Sequence, residues 1–122
     1  MNEKIFIVED ESIVLMEIRY RLQSLGYQIA GTSSRGEEAI KKIIQCKPDL
    51  ILMDISLKGE MTGLEAAKIL KREIDTPIIF LTAYADEDSL KKVKELEPNY
   101  FLLKPFGEIE FQESVRKALN NN

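Results

Sequence analysis

The chain contains no histidine and no tryptophan, and its only cysteine is Cys46. Each absence removes a class of chemistry. Without histidine there is no Ser-His-Asp or Cys-His catalysis, no His-ligated zinc and no phosphohistidine. One cysteine cannot close an intramolecular disulfide. Lacking a histidine partner, Cys46 reads as a small, half-buried residue near a helix end rather than a nucleophile. No apolar run approaches the ~20 residues needed to cross a membrane, and no signal-peptide pattern is present. The chain is therefore expected to be cytoplasmic, with no membrane partner. Long Lys/Arg runs are missing too. With 17 basic and 21 acidic residues the formal charge is -4, which argues against direct nucleic-acid binding.

What is present suits one compact domain spanning residues 1–122. A hydrophobic fraction of 44% is enough to build a core without disulfides or a structural metal. Five apolar runs recur: Ile5 to Val8, Tyr27 to Ala30, Leu50 to Met53, Ile78 to Leu81 and Tyr100 to Leu103. Most are continuous rather than alternating, the mark of strands covered on both faces. Between and after them lie helical patterns. Ile13, Met16, Leu22 and Leu25 form one, stopped by Gly26. Ala39, Ile40, Ile43 and Ile44 form the next, closed by Pro48. Leu64, Ala67, Leu70 and Ile74 precede Pro77; Leu90, Val93 and Leu96 precede Pro98; Phe111, Val115 and Leu119 complete the set. Strand and helix alternate five times, which predicts an α/β domain with a parallel sheet and helices on both faces.

Ligands of such open sheets bind beyond the carboxyl ends of the strands. There the first run delivers Glu9, Asp10 and Glu11, the third Asp54, the fourth Thr82 and Ala83, and the fifth Lys104 and Pro105. Taken singly each is ordinary: a capping acid, a surface lysine, a threonine of good strand propensity. Four strand ends agreeing at once is not ordinary. Clustered carboxylates repel one another, and a divalent cation relieves that repulsion. Hard oxygen ligands suit Mg²⁺ or Mn²⁺. Lys104 adds a positive charge and Thr82 a hydroxyl donor. Such a site can hold a phosphoryl group on Asp54 as an aspartyl-phosphate.

With these motifs assembled, the chain resembles the response-regulator receiver family of two-component signalling over essentially its whole length. The residues that carry the resemblance are Ile5 to Glu11, Leu52-Met53-Asp54, Leu81-Thr82-Ala83 and Leu103-Lys104-Pro105-Phe106. It implies a flavodoxin-like (βα)5 three-layer sandwich with a central five-stranded parallel sheet of strand order 2-1-3-4-5. Asp54 would be the phosphoacceptor, supplied by a histidine kinase or phosphotransfer protein. Asp10, Asp54 and the backbone carbonyl of Ser56 would ligate Mg²⁺, with Glu9 acting mainly through water. Lys104 would bridge the acidic cluster and the phosphoryl group. Thr82 and Phe101 would be the switch residues. The surface around the fourth helix, fifth strand and fifth helix would then control a downstream protein or output domain, or pair two phosphorylated copies as a homodimer. A peptide Lys104-Pro105 in cis is common in this family.

Three positions depart from the common pattern. Phe101 stands where Tyr is frequent, so the hydroxyl contacts of an inward ring are lost. The loop from Ile55 to Gly63 is one residue longer than in many receivers and has Lys58 where Pro is usual. Tyr84 stands at a position that influences phosphoryl loss in the family, and shielding of Asp54 predicts slower loss than in Tyr84→Ala. Three other functions compete. A small Mg²⁺-dependent phosphohydrolase wants a second acid two residues after the nucleophile, where Ser56 stands. A flavin carrier would place phosphate against Glu9, Asp10 and Glu11, which repel it. A phosphorylation-independent scaffold would not need the full set of site residues. The leading reading is a switch that promotes only its own phosphorylation and dephosphorylation, not an enzyme for an external substrate.

Overall fold

Along the first strand, β1 (Lys4–Val8), successive side chains enter two different cores, and this alternation sets the architecture. The structure is a computed structural model and describes residues 2–57, 59–83, 91 and 100–120. β1 is followed by β2 (Gln28–Ser33), β3 (Leu50–Asp54), β4 (Ile78–Ala83) and β5 (Tyr100–Lys104). All four pairings are parallel, and the sheet order is β2-β1-β3-β4-β5. This is the predicted order. It leaves β2 and β5 as the two edges.

Ile5 and Ile7 of β1, Leu50 and Leu52 of β3 and Ile79 and Leu81 of β4 point to one face. They meet Ile18 and Leu22 of α1 (Ser12–Ser24) and Phe111, Val115 and Ala118 of the last helix (Glu108–Asn120). Phe6, Val8, Ile51, Met53, Ile78 and Phe80 point the other way. They meet Ala39 and Ile43 of α2 (Gly36–Cys46) and Leu64, Ala66, Ala67 and Leu70 of α3 (Gly63–Glu73). Three layers result. Each fully buried Ile, Leu or Phe side chain stabilises the fold by about 1.5–3 kcal/mol. The fourth predicted helical segment, with Leu90, Val93 and Leu96, lies outside the described residues.

Helix ends follow local chemistry. Gly26, at φ 94°, ends α1 as predicted, because an L side chain is strained there. α3 begins with a capping box: the Thr62 hydroxyl accepts from the Glu65 N–H at 3.1 Å, and Glu65 Oε1 accepts from the Thr62 N–H at 2.9 Å. Thr62→Ala removes half of this box. The expected loss is about 1 kcal/mol, read as a lower urea midpoint with an unchanged m-value.

Two expectations from the pattern are corrected. Ile13 and Met16 do not face the core: they are 81% and 69% exposed, while Ile18 and Leu22 are buried. Apolar residues stand nearly all round α1, so spacing alone does not select the inward face. Cys46 is exposed, not half-buried. It is the last residue of α2, beside edge strand β2, where no further layer covers it.

Candidate functional site

The candidate side chains are placed by strand ends. The strands run slightly further than their apolar cores predict, so Asp54 and Lys104 are the last residues of β3 and β5, and Thr82 lies one residue from the end of β4. Parallel pairing then aligns Asp54 with Leu81, Thr82 with Leu103 and Ala83 with Lys104. Beyond β1 the chain turns through Glu9, Asp10 and Glu11 into α1. The Glu9 N–H donates to the Ser33 carbonyl, which holds that turn against β2.

Lys104 joins the parts. Its Nζ lies 2.8 Å from Glu9 Oε1 and 3.2 Å from Asp54 Oδ2, with Glu11 Oε1 further off at 3.9 Å. Asp54 is buried, and its Oδ1 accepts the Ser56 N–H at 2.9 Å. The second Glu9 oxygen accepts the Glu11 N–H at 3.0 Å. Carboxylate oxygens of Glu9, Asp10, Glu11 and Asp54 all lie within 4.8 Å of one another. Four acidic groups so close, balanced by one ammonium, leave excess negative charge among hard oxygen donors. That donor set fits Mg²⁺ or Mn²⁺.

Sequence reasoning named Glu9, Asp10, Asp54, Thr82 and Lys104, and the structure brings the charged members together. Thr82 is fully buried at the same sheet edge. The role expected of Ser56 was its carbonyl; the contact seen is its N–H on Asp54. Glu11 joins the acidic group as well, and its place beside Asp10 was the available signal. Phe101 is half-buried, packed on the core shared with α2 and α3. The long loop is anchored by Ile55 and Leu57, both buried. Tyr84 and Lys58 lie outside the described residues. The Lys104-Pro105 peptide is cis.

Burial pushes the Glu9 carboxyl up to about 7, with the charge of Asp54 adding and the hydrogen bond from Lys104 opposing. Burial would lower the Lys104 ammonium, but Glu9 and Asp54 outweigh it and hold it above its ordinary value. The sign for stability follows. Between the ordinary Glu value of 4.5 and about 7, folded Glu9 keeps a proton that the unfolded chain has lost. Stability therefore falls as pH rises through that window. The Lys104 contribution persists until pH passes its raised value, well above the window. Glu38 and Glu65, held low by Lys42 and Thr62, lose their contributions only as pH falls below 4.5. In EDTA the unfolding midpoint is expected to drop by several degrees from about pH 5 to about pH 7.5. Saturating Mg²⁺ is expected to flatten that slope. A midpoint that is level or rising in EDTA would place Glu9 in the ordinary carboxylate range.

Comparison with known proteins points the same way. Residues 5–116 match the family model of the response regulator receiver domain. The alkaline phosphatase synthesis transcriptional regulatory protein PhoP of Bacillus subtilis (strain 168) is 36% identical over 123 residues, covering 100% of this chain and 50% of PhoP. The chemotaxis protein CheY of Thermotoga maritima is 30% identical over 119 residues, covering 97% of this chain and 98% of CheY. In three dimensions, the signal receiver domain of a modulated diguanylate cyclase from Desulfovibrio desulfuricans G20 superposes with a TM-score of 0.91 at 32% identity, covering 99% of this chain and 96% of that one. The chain thus spans about half the length of PhoP and nearly all of CheY. Among the described residues, no helix is long and apolar enough to cross a membrane.

Proposed function

The chain belongs to the response regulator receiver domain family, and from that premise we propose that it accepts one phosphoryl group on Asp54 in a Mg²⁺-dependent step. The observation that carries this reading is the position of Lys104 Nζ between Glu9 Oε1 at 2.8 Å and Asp54 Oδ2 at 3.2 Å, beside four clustered carboxylates. A carboxylate oxygen of Asp54 attacks phosphorus. The bond from phosphorus to the donor's nitrogen or oxygen breaks, and the leaving group takes the electron pair. Glu9, Asp10, Asp54 and the Ser56 carbonyl would hold the cation, which when bound supplies positive charge against the phosphoryl oxygens. Lys104 supplies the second positive charge and stays with the product. Thr82 offers its hydroxyl at the same edge.

The donor is a histidine kinase or phosphotransfer protein. The response runs from Thr82 and Phe101 to the surface of the predicted helical segment before β5, β5 itself and the last helix, where a downstream protein, an output domain or a second phosphorylated copy binds. Such coupling requires two states whose balance phosphorylation shifts.

Acetyl phosphate with and without Mg²⁺, followed by intact mass, tests the chemistry directly. One phosphoryl addition that needs Mg²⁺ is the expected result. Steady hydrolysis of small phosphomonoesters would instead favour the phosphohydrolase. A folded protein that takes no label from acetyl phosphate or any kinase would favour the scaffold.

A further inference from the structure

Arg21 is far from β5 in sequence, yet it lies against the segment that carries Lys104. Its guanidinium carbon is 5.2 Å from the ring centroid of Phe106 and 5.7 Å from that of Phe111. The two rings stack with centroids 5.3 Å apart and planes at 26°. Glu17, one turn earlier on α1, holds Nη2 at 3.1 Å. Nη1 is buried and has no hydrogen-bond partner among the described residues. A guanidinium kept against ring faces, with one nitrogen unmatched by any acceptor among the described residues, covers those rings by stacking.

The segment under it needs holding. β5 is an edge strand, paired among the described residues with β4 alone. After Lys104 no helix begins until Glu108. Between them Phe106 is the buried anchor, only 7% exposed. A groove lined by Glu11, Val14, Glu17, Lys104, Pro105 and Phe106 joins this anchor to the acidic site. The lysine stem is long and flexible, so reaching two carboxylates at once depends on where its backbone is held. Displacements of ~1 Å at a reacting centre are costly.

We infer that Arg21 is a positioning residue for Lys104: it seats Phe106 against Phe111, and Phe106 fixes the chain two residues beyond the lysine. The inference rests on phosphoryl acceptance at Asp54. Arg21 touches no reacting atom in this role. Its effect passes through the rings, so bulk over them matters more than charge.

The test compares wild type, Arg21→Ala, Phe106→Ala and the double variant. Initial labelling by acetyl phosphate at saturating Mg²⁺ is read by intact mass, and Mg²⁺ alone is titrated by calorimetry. Arg21→Ala is expected to label about five- to twentyfold more slowly, with Mg²⁺ affinity within about twofold of wild type. The double variant is expected to be no slower than Phe106→Ala, because both act through one seat. Arg21→Leu, which covers the rings without charge, is expected to recover most of the rate. Wild-type labelling by Arg21→Ala, a parallel loss of Mg²⁺ affinity, or an Arg21→Leu as slow as Arg21→Ala would each overturn the inference. If Arg21→Ala does not fold, Arg21→Asn, too short to cover the rings, takes its place: slow labelling supports the inference and a wild-type rate overturns it. A wild type that takes no label overturns the phosphoryl reading and this inference with it; a labelled wild type beside an equally fast Arg21→Ala overturns this inference alone.

Discussion

Asp54→Asn is expected to take no phosphoryl group under conditions that label the wild type, a loss of at least about a hundredfold. The reason is chemical. An amide oxygen is a poor nucleophile, and the neighbouring carboxylate of Glu9 is occupied by Lys104 and the Glu11 N–H. The fold should survive. Asn keeps an oxygen to accept the Ser56 N–H, and one of four crowded carboxylates becomes neutral. In the metal-free variant above about pH 7, loss of the Asp54 repulsion on Glu9 is offset by loss of the Asp54–Lys104 ion pair, so its unfolding midpoint is expected to stay within a few degrees of wild type. Intact mass after acetyl phosphate and Mg²⁺, paired with thermal unfolding in EDTA, reads both halves. Label retained at wild-type level in the variant would move the acceptor to another residue.

Gly63→Ala is expected to be the most damaging of the six glycine-to-alanine changes. Gly63 opens α3, and its N–H donates to the Ile55 carbonyl at 3.3 Å. A Cβ built there would run into the backbone carbonyl oxygen of Asp54 and come within 2.8 Å of Ile55 Cα. Both neighbours are backbone, so neither can swing away as a side chain would. Asp54 sits in the middle of the sheet's site edge, and Ile55 is buried beside it. The expected cost is about 3 kcal/mol or more. The strand end that presents Asp54 should also shift, so labelling by acetyl phosphate should fall even where the variant remains folded. Urea unfolding followed by circular dichroism measures the first effect. A variant within about 0.5 kcal/mol of wild type would mean that the helix start yields easily.

These two positions differ in how they can be read. Asp54 is legible because a carboxylate directly after an apolar run, in company with three other strand ends, is a chemical statement in one dimension. Gly63 is not. Its glycine is forced by the approach of two backbone segments, and nothing in the local sequence says that α3 starts against the carbonyl of Asp54 itself. Arg21 belongs with Gly63. On sequence it is an ordinary polar position of a helix, and only the packing of the last helix against α1 puts two aromatic rings beneath it. The Ser56 N–H on Asp54 is intermediate: the residue was named from the family resemblance, but a different backbone atom makes the observed contact.

The sequence by itself determined the order of the five strands and of the described helices, the parallel sheet, and the chemistry gathered at one edge. Those depend on periodicity and residue type, which act locally, and on the rule that parallel strands present their carboxyl ends together. Only the tertiary structure decided which face of α1 is buried, that Cys46 lies exposed beside an edge strand, and which carboxylates Lys104 holds. Lys104 is 95 positions from Glu9 and 50 from Asp54. Pairings across such separations are chosen by the packing of the whole sheet, where the repulsion of clustered acids and the scarcity of buried cations leave one arrangement lowest in energy.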